Sequence, residues 1–466
     1  MNPPRALTGG FALACALLLA VAWPGLAAEA APRNIIVMVC DGCGYNHLAA
    51  ASLYCSGRPG RQPYQRFPVR YAVSTHSVAG GYDPARAWSE FGYVLLGATD
   101  SAAAATAMST GHKTYDGAVG VGLDGGPLRH ALELAEERGK ATGLVTSVPI
   151  SHATPASFVA HHGHRDDFET IARQMLLESA VEVIMGGGHP WFDDSGLPRT
   201  VPCYQYVGGK SVWEALLLGA AGSDADAGGR CDPWALVQTE AGFAALMSGP
   251  TPRRVLGLAP VARTLQQARA GDPCAAPYAV PVVEGVPTLA QMTTAALNVL
   301  DDAPQGLFLV VEGGAIDWAS HANQDGRMIE EMIDFDRAVE AAIRWVEEKG
   351  GWGETLVIVT ADHETGCLWG PGSGPGSQPP WRPLEGRGRG RLPAMKWLSI
   401  NHTNSLVPLF AQGCGAALFH AHATGSDPVR GPCLDNTAVG KVLRELLSPP
   451  EAAIDSSQPP ARCAIP

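Results

Sequence analysis

The chain is predicted to be an α/β protein with a central, mostly parallel sheet flanked by helices on both faces, and three observations predict it. The apolar, β-branched runs 34–40, 307–311 and 355–360 suit strands buried on both sides of a parallel sheet. Each run passes directly into acidic and histidine residues, and open α/β sheets gather their ligands beyond the carboxyl ends of the strands. The alanine-rich stretch Ser101–Ala107 reads as a helix packed very close to its neighbours.

In chain order, residues 1–30 read as a secretory signal. Arg5 precedes a short apolar stretch over 9–23, and Leu26–Ala30 offers small-residue cleavage positions after Ala28 or Ala30. Export to the periplasm or the medium is the expectation, with no second stretch long enough to span a bilayer. Removing Cys15 with the signal leaves ten of the eleven cysteines, an even number compatible with disulfides in an oxidising compartment, although spacing alone does not pair them. Residues 31–450 are expected to form a single catalytic domain, long enough to bury a large core. Within it, 195–281 reads as an inserted subregion. The Gly/Pro/Ser-rich stretch about 370–395, with Arg382, Arg387, Arg389 and Arg391, reads as a flexible loop. Residues 451–466 read as a C-terminal tail. The net charge of −12 argues against nucleic acid as a general partner.

The first strand leads into Asp41-Gly42-Cys43-Gly44. Thr99-Asp100-Ser101 then opens the alanine-rich helix and leaves the Ser101 hydroxyl at its positive end, where an anion is welcome. That is a nucleophile's position. The next strand leads into Glu312-Gly313-Gly314-Ala315-Ile316-Asp317, followed by His321. Asp317 and His321 stand four apart, so a helix puts both on one face, within reach of one ion. A mixed Asp/His set fits zinc, which keeps a coordination position open when catalytic. Asp362-His363, just past the third strand, supplies the donors for a second ion, and His402 is the best-placed third histidine.

Taken together, the segments Asp41–Gly44, Thr99–Ala107, His152–Ala156, Glu312–Asp317, Thr360–Glu364 and His402-Thr403 resemble the alkaline phosphatases in order and near spacing. The resemblance runs from about residue 33 to about residue 445, with weaker stretches near 195–280 and 370–395. It implies two zinc ions and one magnesium ion. Asp317, His321 and His402 would hold the first zinc, and Asp41, Asp362 and His363 the second. Asp41, bridging, with Thr154 and Glu312 would hold magnesium. Ser101 would be the nucleophile, and Arg165 would clamp phosphate through two parallel, charge-assisted bonds. Three divalent ions against four carboxylates leave the cluster about two units positive, which suits a phosphomonoester dianion.

The implied activity is metal-dependent hydrolysis of small phosphomonoesters through a phosphoserine, with broad specificity because the leaving group is barely touched. A homodimer is common in the family. Where some bacterial members carry Asp and Lys, this chain has His152 and Trp318, so both flank the implied magnesium and phosphate positions, as does Asp100. A sulfatase of the same superfamily would need a C/S-x-P-x-R context that Ser101 lacks. A phosphodiesterase would commonly lack Thr154, Glu312 and Arg165 together, and a non-catalytic phosphate- or metal-binding protein would not need every ligand and the nucleophile intact.

Overall fold

The structure is a computed structural model that describes residues 31–223 and 232–448. The expected signal segment over 1–30, the tail over 451–466 and Cys231 lie outside the described residues.

The β-branched runs become strands of one large sheet. Its eleven members are β1 (Asn34–Val39), β2 (Val69–Ser74), β3 (Ala141–Pro149), β4 (Val183–Gly187), β5 (Ala235–Val237), β6 (Val255–Leu258), β7 (Leu307–Glu312), β8 (Thr355–Thr360), β9 (Val407–Gly413), β10 (Gly425–Asp427) and β11 (Gly431–Asp435). They lie in the order β10-β11-β2-β9-β8-β1-β7-β3-β4-β6-β5. From β8 through β5 every pairing is parallel, and β9 runs antiparallel to both β8 and β2. The fold is therefore the α/β arrangement read from the sequence. Strands β5 and β6, which extend one edge of the sheet, come from within residues 195–281.

Burial explains why these runs do not alternate. Every residue of β1, β7 and β8 is buried, because helices cover both sides of the sheet's centre. Each fully buried Val, Ile or Leu contributes about 1.5–3 kcal/mol. One helix set comprises α1 (Tyr45–Ser56), α5 (Leu289–Leu300), α6 (Ala315–His321) and α7 (Asp325–Glu348), packed on one another and on β3. The other comprises α2 (Ser101–Thr110), α3 (Ala131–Glu136) and α8 (Thr437–Leu447), while the single turn α4 (Ala153–Ala156) packs against α2.

All ten residues of α2 are buried. Small side chains make this possible, as does Gly440 of α8, where a Cβ would meet the Gly111 nitrogen at 2.1 Å. The Asp100 carboxylate caps α2 by accepting from the Ala103 N–H at 2.9 Å. Within 370–395, Trp381 is buried and stacks on Trp369 with ring centroids 5.0 Å apart. Among the described residues no helix is long and apolar enough to cross a membrane.

Candidate active site

Sheet order and register assemble the site. Strands β8, β1, β7 and β3 are consecutive neighbours, and Val39 lies opposite both Thr360 and Glu312, while Thr146 also pairs with Glu312. Glu312 at the end of β7, and Asp41 and Asp362 two residues past Val39 and Thr360, therefore emerge close together at one end of the sheet. The turn after β1 is tight: Gly42 has φ +72°, and a Cβ there would lie 2.7 Å from the Asp317 Cα. Only glycine satisfies both conditions. Its N–H donates to Asp362 Oδ1 at 3.0 Å.

Asp41, Asp362 and His363 form one donor group, with ligand atoms within 4.8 Å of one another, all three buried. His363 Nε2 lies 3.1 Å from Asp362 Oδ2 and 3.6 Å from Asp41 Oδ1. It also lies 3.1 Å from Ser101 Oγ, at the head of α2. Asp317, His321 and His402 form a second group. The helix α6 brings His321 Nε2 to 3.4 Å from Asp317 Oδ1, and His402 Nε2 approaches the same oxygen to 3.5 Å. Glu312 and Thr154 are both buried nearby, with Glu312 Oε2 accepting from the Thr146 hydroxyl.

These residues fit cations on three counts. First, His321 Nδ1 and His402 Nδ1 face the carbonyls of Ile400 and Thr99 at 2.5 and 2.8 Å, so each Nδ1 carries the proton. Their Nε2 atoms face each other across 3.0 Å beside the Asp317 carboxylate, and in the neutral imidazoles both would present lone pairs there, an arrangement that suits a bound cation. Second, Asp41 Oδ1, Asp362 Oδ2, Glu312 Oε1 and Thr154 Oγ1 are buried without a hydrogen-bond partner. Third, the carboxylates repel in the metal-free cluster. Burial, then the neighbouring Asp362, Asp317 and Glu312, push Asp41 well above the usual carboxylate range. Burial likewise raises Glu312 to about 7 and Asp362 to about 6. Burial also works on Asp317, but His402, His363 and His321 outweigh it and hold that carboxyl low. Asp317 in turn overcomes burial at His402 and lifts it to about 8.

The remaining sequence-singled residues gather around Ser101. Arg165 Nη1 donates to Asp100 Oδ2 at 2.8 Å, and its backbone N–H to the Gly117 carbonyl at 2.9 Å. His152 stands edge-on to Trp318, ring centroids 5.4 Å apart, and is kept neutral by burial and then by Arg165, which lower it to about 3. Ser101, Arg165, His152, Trp318, Asp317, His321 and His402 all line one cavity of about 710 Å³.

The structure adds residues that the sequence reading did not single out. Thr365 donates to Asp317 Oδ1 at 2.5 Å and stands 3.2 Å from His363 Nδ1, joining the two donor groups. The signal was present: Thr365 lies two positions after His363, on the same side of an extended chain. Gln267, Gln324, Arg263 and Arg327 also line the cavity and come from segments with no such pattern. Cys40 and Cys43 are buried free thiols, both directed at Met332 Sδ, at 3.5 and 3.7 Å.

Residues 32–382 match the family model described as alkaline phosphatase. Alkaline phosphatase 3 of Bacillus subtilis is 32% identical over 343 residues, covering 72% of this chain and 61% of that protein. The match thus spans less than two thirds of that relative's length. Streptomycin-6-phosphate phosphatase of Streptomyces griseus is 31% identical over 391 residues, covering 76% of this chain and 80% of that protein. Among solved structures, a cold-active alkaline phosphatase from a psychrophilic Shewanella has a TM-score of 0.62 at 24% identity. That match covers 89% of this chain and all of that one, a likeness of fold.

Proposed function

The chain belongs to the alkaline phosphatase family, and on that premise we propose that it hydrolyses phosphomonoesters to inorganic phosphate and an alcohol through a phosphoserine at Ser101. The observation that carries the reading is the position of Ser101 Oγ. It heads a buried helix, faces His363 Nε2 at 3.1 Å, and shares one cavity with Arg165 and the Asp317/His321/His402 group.

Asp317, His321 and His402 would hold one zinc ion, Asp41, Asp362 and His363 a second, and Asp41, Thr154 and Glu312 a magnesium ion. Bound divalent ions supply Lewis acidity that activates hydroxyl groups and balances charge on attacking and leaving oxygens. The chain's own residues do the rest. Amide groups at the N-terminus of α2 face the phosphoryl group and favour its negative charge. Arg165 donates to two non-bridging oxygens, and Asp100 holds the guanidinium for that task. Ser101 Oγ attacks phosphorus, the alcohol departs into the open cavity, and water entering from the vacated side cleaves the phosphoserine. The cavity is open and about 710 Å³ in volume, roomy enough for varied leaving groups, which supports broad specificity. Residues 1–30 are read as an export signal, to be checked by N-terminal sequencing of the exported protein.

Turnover of an aryl phosphate, an aryl sulfate and a phosphodiester, with and without a chelator, tests the reading. The expected result is chelator-sensitive hydrolysis of the monoester far above the other two. Preferred hydrolysis of the diester or the sulfate, or full activity after metal removal, refutes it.

A further inference from the structure

A third group of histidine and carboxylate donors lies outside the catalytic set. His130, Glu133 and His161 offer ligand atoms within 4.8 Å of one another. His130 is the N-cap residue of α3 and is completely buried, and neither of its ring nitrogens makes a hydrogen bond of good geometry. Its Nδ1 points to within 3.3 Å of Glu133 Oε2 without the alignment of a hydrogen bond. On the other side, Glu133 Oε1 is 3.3 Å from His161 Nε2. His161 Nδ1 lies 2.7 Å from the Gly120 carbonyl, so in the neutral imidazole the proton sits on Nδ1 and Nε2, now paired with Glu133, is the nitrogen free to take a cation.

A histidine at this position asks for an explanation. Ser, Thr, Asp or Asn would cap the helix and bury less polar surface, whereas a buried polar atom without a partner costs about 1–3 kcal/mol. Here the cap's backbone N–H donates to Glu133 Oε2 at 2.7 Å, and the imidazole itself makes no well-formed hydrogen bond to the helix end. It adds a donor beside a carboxylate and a second imidazole.

We propose that His130, Glu133 and His161 bind a first-row divalent cation of the zinc type, at a site separate from the catalytic ions. Two nitrogens and one carboxylate oxygen match zinc's preferences and not magnesium's, which favour oxygen donors alone. Glu133 and His161 border a surface cavity of about 320 Å³, lined also by Gln174 and Glu178, which provides an entry path. The two imidazoles are stacked with centroids 4.2 Å apart and planes 11° apart. Closing on an ion at about 2.0–2.2 Å requires them to splay. The part-exposed side chains of His161 and Glu133, at 25% and 37%, have the freedom to do so.

The consequence reaches the phosphate side of the cavity. His161 opens the segment that continues through His162, paired with Val119, to Arg165, whose N–H is held by Gly117. An ion joining His161 to α3 clamps the start of that segment.

The experiment measures bound zinc in the full chain, loaded to saturation and passed through gel filtration in chelator-free buffer, for the wild type, His130→Thr and His161→Gln. Thr restores a conventional capping box with Glu133, so His130→Thr keeps the fold. Both variants are expected to carry one zinc equivalent fewer than the wild type, and His130→Thr is expected to keep aryl phosphate turnover within twofold. Added zinc should raise the melting temperature of the metal-replete wild type but not of His130→Thr. Equal zinc content in all three proteins overturns the proposal, as does a wild-type excess lost on gel filtration, the mark of an adventitious ion only.

Discussion

Replacing Arg165 by alanine tests whether the guanidinium clamps the phosphoryl group. Its side chain is 19% exposed, so bonds to a bound dianion are only partly screened by water. A hydrogen bond to a charged group contributes about 1.5–3 kcal/mol. Taking the lower value for each of two bonds in an open cavity gives about 3 kcal/mol. At about 1.4 kcal/mol per decade, kcat/KM should fall roughly 150-fold. Inhibition by inorganic phosphate should weaken in parallel, since the product offers the same oxygens. The fold should tolerate the change: the backbone N–H of residue 165 still reaches Gly117, and Asp100 Oδ1 still caps α2. Asp100 loses its ion-pair partner, but at 20% exposure it can be hydrated, so the melting temperature should drop by a few degrees at most. Arg165→Lys retains the charge without the fork and should regain about one factor of ten. Initial rates with an aryl phosphate, phosphate inhibition constants and thermal melts complete the measurement. A kcat/KM within threefold of wild type, with unchanged phosphate inhibition, refutes the clamp.

Ser101→Ala should abolish most turnover while leaving metal content unchanged, and phosphate trapped at low pH should label Ser101 in the wild type only. Label on another residue contradicts the nucleophile assignment. Asp317→Ala should lower bound zinc as well as rate, since two histidines cannot hold the ion alone; metal analysis decides. Metal removal should make stability pH-dependent. The folded metal-free protein holds Glu312 at about 7 and Asp362 at about 6, above their unfolded values, so it binds more protons than the unfolded chain. Its stability should therefore fall as pH rises from about 4 to 7, and the melting-temperature gap between metal-replete and chelator-treated protein should be wider at pH 8 than at pH 5. A constant gap refutes this. The double change His152→Asp with Trp318→Lys should strengthen magnesium activation and tighten phosphate inhibition, because it places an anionic acceptor and a cation where an uncharged imidazole and indole now stand.

Much of this was legible in the residues themselves. Runs such as Ile35–Val39 and Leu356–Val359 cannot be left in water, and their lack of alternation dictates burial on both faces, hence parallel strands and an α/β fold. The four-residue spacing of Asp317 and His321 becomes proximity as soon as a helix forms, because 3.6 residues per turn is a local property. The serine heading the alanine run is equally local.

What linear order did not contain was the pairing of distant segments. That β1 lies between β8 and β7, in a register that sets Val39 against both Thr360 and Glu312, depends on strands more than 270 positions apart. The links from Thr365 to Asp317 and from Asp100 to Arg165, and the approach of His130 to His161, depend on the same assembly. Local chemistry follows from bonded neighbours and backbone periodicity, so the sequence by itself determined the strands β1, β7 and β8, the α2 and α6 helices and the candidate donors. Long-range pairing is chosen by the burial of the whole core at once, so only the tertiary structure decided which donors share a cation position and which face each other across the cavity.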